Sequence, residues 1–488
     1  MEKFRCCAVV GVIAGLLLLC GCQGLVLGTT TNTTTPPPTN LGVNSINHIV
    51  FMAQENRSFD TFFGQLPAYW AGNGFVSQQF DGIPADASNP SFDGTTTIPA
   101  YHVATECIEN LSPSWDESHI DWNLHEPISP TATMDGFVYN AAKFATDEAF
   151  TDTAGARAMG YYDENDLNYY YFMASNFATS DRWFAPALNR TQINRMYLFA
   201  ATSQGYAYPP GTNANDNTPL TAPTIFEALD TAGVSWKVYY TDDICSTAVA
   251  DAHAPRGAIA HAAATSSAAG ACTYLTQFAT YAPPNQLPAN VVPISQYMDD
   301  AKKGTLPSVA FIETGYLSQR DEHPSSGTNV QTGAAYVASL INALMTGASW
   351  KDSAFILTYD EPGGLYDHVP PMAPVPSPDG IKPKDLQPND ICTIGTGVNC
   401  DFTTSGFRVP LLVVSPFTKK NYVSHTAADY TAILKFIETR FNIKALTQRD
   451  AAQMDMTEFF DFQNVPWATP PTPPDQATNG TCNANVLQ

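Results

Sequence analysis

The sequence predicts an α/β domain built on a mostly parallel central sheet. Three observations carry that reading. Five short apolar runs read as buried strands: Ile46 to Ala53, Trp236 to Tyr240, Val309 to Glu313, Ala354 to Tyr359 and Val409 to Val414. Amphipathic helical stretches alternate with them at Thr224 to Thr231, Thr332 to Met345 and Ala427 to Phe441. The ends of the strands are chemically loaded, as expected where a parallel sheet collects its working residues at its carboxyl edge.

Composition sets the outer bounds. The chain has 488 residues, 44% hydrophobic and 14% charged, so a large core is available within a loop-rich globular protein. Its formal net charge of −23 excludes an electrostatic nucleic-acid binder and repels anionic membrane surfaces. An anionic substrate needs a local patch of positive charge or a bound cation.

The N-terminus reads as an export signal at residues 1–21. Lys3 and Arg5 precede an apolar stretch from Ala8 to Leu19, which is short for a membrane span. Leu19-Cys20-Gly21-Cys22 resembles a bacterial lipobox, with Cys22 as the lipid-bearing residue; ordinary signal cleavage is the alternative. The expected location is the cell envelope, facing the periplasm or the exterior, or else secretion. Residues 22–43, with the Thr/Pro tract Thr29 to Asn40, read as anchor and tether. A catalytic domain at 44–460 and a Pro-rich tail at 461–488 follow. Asp81 to Asn123 and Asn213 to Thr218 read as surface loops. Past the signal, six cysteines remain in an oxidising compartment. Proximity pairs Cys245 with Cys272 and Cys392 with Cys400, leaving Cys107 for Cys482. Zinc ligation is the alternative, without a CxxC pair to support it.

The strand ends hold the candidate chemistry. Glu55 and Asn56 offer hard oxygen ligands for a divalent cation, although a strand-end turn with Glu55 paired to Arg57 explains them as well. Asp360-Glu361-Pro362-Gly363-Gly364, followed by Asp367-His368, packs acids and an imidazole into one loop. That suits metal ligation with proton transfer, or an exposed acidic turn. Thr191 precedes the apolar run Met196 to Ala201 and is expected as a helix N-cap, where a hydroxyl faces an anion site. Arg190 or Arg195 can add a charge-assisted contact to phosphate. His119, His323 and His368 each sit beside acids. Tyr161-Tyr162 and Tyr169-Tyr170-Tyr171 suit core packing or a cage for a choline headgroup.

Taken together, four segments resemble a known family. Glu55-Asn56-Arg57-Ser58-Phe59-Asp60 with Gly64 looks like ENRSFDxxxG, and Thr191 to Arg195 looks like TxPNR. Asp360 to Val369 looks like DExxGxxDHV, and Gly406 to Pro410 with Pro416 looks like GxRVPxxxxxP. The chain is thereby similar to the phosphoesterases that include bacterial phospholipases C, acid phosphatase A-like enzymes and plant non-specific phospholipases C. The resemblance implies an alkaline-phosphatase-like three-layer α/β/α sandwich with long surface loops. It implies Thr191 as nucleophile and one divalent metal ion among Glu55, Asn56, Asp360 and Glu361. It places His323, His368 and His119 in catalytic roles, and Asn194 and Arg195 on the substrate phosphate. Ile193 departs from the motif's proline, Pro113 stands where many relatives carry His, and Tyr430 stands in the usual place of a His. The expected activity is hydrolysis of phosphate esters, phospholipase C-like first and acid phosphatase second. A phosphate-binding lipoprotein without turnover is the rival from another class.

Overall fold

The computed structural model describes residues 42–488 apart from 76–78, 211–217, 243–272, 283–286, 326 and 394–399. The lipobox, the tether and the expected Cys245–Cys272 pair lie outside the described residues.

An eight-stranded sheet forms the centre. Its strands in chain order are β1 (His48–Gln54), β2 (Ala178–Ser180), β3 (Trp236–Tyr240), β4 (Val291–Pro293), β5 (Val309–Ile312), β6 (Ser353–Tyr359), β7 (Leu412–Val414) and β8 (Tyr422–Ser424). The spatial order is β8-β2-β7-β6-β1-β5-β3-β4. All neighbours pair in parallel except at β7, which runs against both β6 and β2. Strands β1, β5 and β6 are buried almost throughout, which is why they read as continuous apolar runs rather than alternating ones.

Both faces are covered. On one, Phe51 of β1 packs at 4.9 Å, its ring tilted, on Phe311 of β5, and Phe311 meets Phe199 of the helix Thr191–Ala200 at 4.9 Å. Val238 lies beside Phe311 in register, so Tyr239 faces the opposite side. There it meets Tyr297 of the helix Ile294–Lys303 at 5.5 Å. The result is three layers, with helices on either side of the sheet. The expected helices are present at Ile225–Ala232, Val330–Thr346 and Ala432–Phe441. The first is set by a capping box between Thr224 and Glu227.

Three expectations change. Asp81 to Asn123 is not a plain surface loop: it contains the helix Trp115–Trp122, and Cys107, Ile108, Leu111, Trp115 and Trp122 are buried. Its apolar residues are too few and too irregularly spaced to show a period. The helix carrying Thr191 starts at Thr191 itself. Arg190, with extended backbone, is the N-cap and makes no side-chain cap, so Thr191 is not the capping residue. The segment Ala427 to Thr431 is not helical; Ala428–Asp429 pairs with Trp183–Phe184 as a short parallel ladder. Cys392–Cys400 and Cys107–Cys482 are disulfides, the latter tying the Pro-rich tail to the domain.

Candidate active site

The parallel neighbours β5, β1 and β6 end side by side, and each end delivers an acid. Gln54 leads into Glu55 and Asn56, Ile312 into Glu313, and Tyr359 into Asp360 and Glu361. All five are at least 97% buried. The turn after β1 is sharp, with Asn56 in the left-handed region at φ +56, which asparagine tolerates better than most residues. The loop after β6 closes onto it. A Cβ on Gly363, itself at φ +71, would stand 2.6 Å from the Asn56 carbonyl oxygen, so only glycine fits. The backbone N–H of Asn56 donates to Asp360 Oδ1 at 3.0 Å, locking the two strand ends together.

The helix Thr191–Ala200 points its N-terminus at this group, and all ten of its residues are buried. Thr191 Oγ1 lies 3.4 Å from Glu55 Oε2, 3.5 Å from Asn56 Oδ1 and 3.4 Å from Glu361 Oε1. One hydroxyl proton thus faces three acceptors drawn from two strand ends.

The charge is out of balance. Arg195, fully buried, is the resident cation. It donates Nη2 to Glu55 Oε1 at 2.8 Å and to the Ala53 carbonyl at 3.0 Å, and its Nε lies 3.3 Å from Asp360 Oδ2. Among the described residues this guanidinium alone ion-pairs with Glu55, Asp360 and Glu313, and Glu361 has the charge of Arg190 nearby but no ion pair, so negative charge is left uncompensated. Burial, and next the charge of Glu55, drive the Asp360 carboxyl well above its ordinary range. Burial and the Asp360 charge do the same to Glu361, whose Oε2 has no hydrogen-bond partner. An oxygen-only donor set with surplus negative charge and an orphaned carboxylate oxygen suits a hard divalent cation. Glu55, Asn56, Asp360 and Glu361 therefore fit the metal implied by the resemblance.

The other expected residues are placed as follows. Asn194 and Arg195 are committed to the fold. Asn194 accepts from Ala187 N–H at 3.0 Å and donates to the Asn189 carbonyl at 2.7 Å, clamping the loop that leads into the helix. Arg195 lies beneath the carboxylates with no exposed surface. Arg190 is the half-buried cation beside Thr191, with Nη1 3.5 Å from Ser114 Oγ and a buried Nε without a partner. Its charge acts on Glu361 and Tyr316. His323 is half-buried, and its ring stands edge-on to Tyr316 at 5.5 Å. Tyr316 also feels the charges of Asp321 and Glu55. Tyr430 donates its hydroxyl to the Asp360 carbonyl at 3.2 Å, filling the place of the usual His with a structural contact.

His368 belongs to a different group. Its Nδ1 is 2.7 Å from Asp60 Oδ2 and its Nε2 is 3.2 Å from Asp81 Oδ1. Arg408, fully buried, donates Nε to Asp367 Oδ1 at 2.8 Å and Nη2 to Asp60 Oδ1 at 2.9 Å. Burial opposes the charge on His368, but its hydrogen bond to Asp60 together with the charges of Asp60 and Asp367 outweighs it and raises its pKa. His119 is fully buried, with Nδ1 2.6 Å from the Trp115 carbonyl and Nε2 3.9 Å from Cys392 Sγ, against the Cys392–Cys400 disulfide. Glu55 pairs with Arg195 rather than Arg57, whose Nε donates to the Glu322 carbonyl at 2.7 Å. Tyr162, Tyr169, Tyr170 and Tyr171 are core residues. The sequence reading missed Asp181, which holds His425 at 2.9 Å, and Tyr316. Asp181 follows the three-residue strand β2, too short to show an apolar run, so its position at a strand end was hidden.

An α/β enzyme with a buried hydroxyl among carboxylates at the carboxyl edge of its sheet is the class that this architecture defines. Residues 46–444 match the Phosphoesterase family, and the chain belongs to it. It is 31% identical over 465 residues to phospholipase C B of Mycobacterium tuberculosis, covering 88% of this chain and 80% of that one. It is 28% identical over 442 residues to non-specific phospholipase C5 of Arabidopsis thaliana, covering 83% and 72%. Among solved structures, a protein of the alkaline phosphatase superfamily from Vibrio parahaemolyticus aligns over 80% of this chain and 78% of its own, at 11% identity. Its TM-score of 0.32 is too low to transfer fold or function. The chain is a phosphoric ester hydrolase.

Proposed function

We propose that this enzyme is an exported phosphodiesterase of the phospholipase C type, releasing a phosphorylated headgroup through a phosphothreonine at Thr191. The observation that carries the reading is the Thr191 hydroxyl held among Glu55, Asn56 and Glu361 at 3.4–3.5 Å. A carboxylate there, Glu55 or Glu361, accepts the hydroxyl proton as Thr191 Oγ1 attacks phosphorus. The oxygen–phosphorus bond to Thr191 forms while the bond to the leaving alkoxide breaks. His323, whose ring packs on Tyr316, a residue that feels the charge of Glu55, gives the alkoxide its proton. Water then attacks phosphorus as His323 takes a proton from it, and the bond to Thr191 breaks as the carboxyl returns its proton to Thr191 Oγ1. The N-terminal amides of the helix face the phosphoryl oxygens. A divalent cation held by Glu55, Asn56, Asp360 and Glu361 supplies charge neutralisation at phosphorus and a more acidic hydroxyl.

A phosphomonoesterase is the second reading, supported by Arg190, which makes no ion pair among the described residues and can meet a second negative charge. The membrane connection rests on the lipobox-like Leu19 to Cys22 and the Thr/Pro tether. Labelled palmitate should mark the wild type and not Cys22→Ser; equal labelling removes the anchor. The catalytic reading is tested by quenching reactions with radiolabelled substrate. Label should appear on the tryptic peptide containing Thr191. Turnover without any covalent label, and with full rate in Thr191→Val, overturns the phosphothreonine. No turnover on p-nitrophenyl phosphate or p-nitrophenylphosphorylcholine favours a binding protein.

A further inference from the structure

Arg57 is a buried cation that the chemistry at Thr191 does not use. It has no exposed surface, and its Nη1 and Nη2 have no hydrogen-bond partner. Its guanidinium lies over the rings of Phe62 and Tyr162, 5.6 and 5.8 Å from their centroids. The one hydrogen bond that this guanidinium makes among the described residues runs from Nε to the Glu322 carbonyl at 2.7 Å. A charge buried with most of its donors idle is a poor source of stability, because a buried ion is favourable only when its remaining hydrogen bonds are met. The bond that it does make lies where the chemistry is concentrated. That carbonyl belongs to the peptide joining Glu322 to His323, and Arg57 itself follows Glu55 and Asn56.

Two other residues that flank the catalytic carboxylates fasten the same loop. Tyr359, the last residue of β6 and next to Asp360, donates its hydroxyl to Glu322 Oε2 at 2.5 Å. Gln54, the last residue of β1 and next to Glu55, accepts from Thr314 Oγ1 at 2.6 Å and donates to the Arg320 carbonyl at 3.3 Å. Tyr170 donates to Glu322 Oε1 at 2.5 Å, and the helix Val330–Thr346 comes so close that a Cβ on Gly333 would overlap Glu322 Cγ. Glu322 is thus held at its carbonyl and at both carboxylate oxygens, with no exposed surface. His323, next to it, is half-buried. Its Nδ1–H donates to the Pro324 carbonyl at 2.9 Å, which leaves Nε2 to exchange a proton.

We propose that Arg57 is a positioning residue for His323: by gripping the Glu322–His323 peptide from beside Asn56, it holds the proton donor in register with Thr191 and the carboxylates. Tyr359 supports the same peptide through the Glu322 side chain. The inference rests on the reading of His323 as the acid that protonates the leaving alkoxide.

The test separates leaving groups. An alkoxide leaves with a proton, whereas p-nitrophenolate leaves without one, so a misplaced acid slows alkyl esters far more than nitrophenyl esters. Rates are compared on dihexanoyl phosphatidylcholine and p-nitrophenylphosphorylcholine, or on glycerol 2-phosphate and p-nitrophenyl phosphate, according to the ester class that the wild type hydrolyses. Arg57→Gln places an amide nitrogen where Nε lies and keeps a donor for the Glu322 carbonyl. Arg57→Met places a methyl group there and keeps none. Both remove the charge. In Arg57→Met, kcat on the alkyl ester should fall by roughly ten- to a hundredfold, part of what a general acid supplies, with KM and the nitrophenyl ester little changed. Arg57→Gln should recover most of that loss. His323→Gln should show the same selectivity to a larger extent. If His323→Gln slows both esters alike, the acid reading fails and the proposal with it. If His323→Gln is selective while Arg57→Met and Arg57→Gln behave alike, the acid stands and the positioning role is overturned. Circular dichroism checks each fold. Should Arg57→Met not fold, Tyr359→Phe carries the test, and a loss equal for both leaving groups overturns the proposal.

Discussion

The group around Thr191 and the group around Arg408 are both built from motif residues, both buried and both rich in aspartate or glutamate, yet they meet their charge in opposite ways. Around Arg408, each acid has a donor. Asp367 and Asp60 share the guanidinium, and Asp60 also accepts from His368 N–H at 2.8 Å. Around Thr191, one guanidinium serves several carboxylates, and Glu361 retains an orphaned oxygen. A balanced cluster holds loops together. A cluster with surplus charge is ready for a cation and a substrate. Motif membership does not separate the two roles; charge compensation does.

The largest expected effect falls on Thr191→Val. Since Thr191 is not the helix cap, valine removes the hydroxyl without removing a capping bond, and its shape is close to that of threonine. The turnover rate should fall by roughly a thousandfold or more, as for loss of a nucleophile, while the melting temperature stays close to wild type. Thr191→Ser should retain substantial activity. A normal rate in a folded Thr191→Val enzyme sinks the assignment.

Next is the contrast between the clusters in stability. Arg408→Gln leaves Asp60 and Asp367 buried beside a neutral amide and should cost about 3–5 kcal/mol in denaturant unfolding. Glu361→Gln removes a carboxylate that has no partner for one oxygen. After chelation it should be as stable as wild type or more so, while activity is lost. If both substitutions destabilise equally, the distinction between balanced and unbalanced clusters fails.

The pH dependence sharpens the same comparison at a buried acid outside both groups. Burial pushes Glu322 up to about 7, although Tyr170 and Tyr359 both donate to it. A raised carboxyl pKa means that the folded state keeps a proton the unfolded chain has released. Its stabilising contribution is therefore full below the ordinary value of 4.5 and is lost as pH rises through 7. The loss amounts to at most about 3 kcal/mol. Glu322→Gln should flatten the fall of unfolding free energy between those pH values. An unchanged slope would show that Glu322 is ionised in the folded protein.

Much of this was legible in the sequence, for a physical reason. Buried parallel strands need uninterrupted apolar runs, so β1, β3, β5 and β6 announce themselves, and the acids after them mark the carboxyl edge. Glu55, Asn56, Thr191, Asp360 and Glu361 were all named from position, and they do converge. What the sequence could not show is partnership. Arg195 and Arg190 flank the same threonine in sequence, and only packing reveals that Arg195 lies beneath the carboxylates while Arg190 lies at their side. His368 and His323 both stand beside acids in sequence, but Asp60, about 300 positions away in the chain, fixes one of them. The Thr191 cap was misplaced by one residue because an extended arginine caps through its backbone alone.

The smallest expected effect separates those two arginines. Arg195→Gln should damage the fold, because Glu55 and Asp360 would lose the one guanidinium that pairs with them among the described residues. Arg190 carries no such load: it makes no ion pair among the described residues, and its backbone, not its side chain, starts the helix. Arg190→Gln should therefore unfold at the wild-type denaturant midpoint. Its consequence should appear in binding, since a charge-assisted contact to a phosphoryl oxygen is worth about 1.5–3 kcal/mol, or roughly ten- to a hundredfold in affinity. The charge of the substrate decides where in that range the loss falls. A phosphomonoester dianion presents a second negative charge beside Thr191, whereas p-nitrophenylphosphorylcholine presents one and carries its own ammonium. KM for p-nitrophenyl phosphate should rise by more than tenfold in Arg190→Gln, and KM for the choline ester by only a few-fold. Equal changes for both esters would mean that Arg190 meets the phosphoryl group common to them and does not read the second charge. No change for either would remove Arg190 from substrate binding and leave the helix amides as the remaining anion donors beside Thr191.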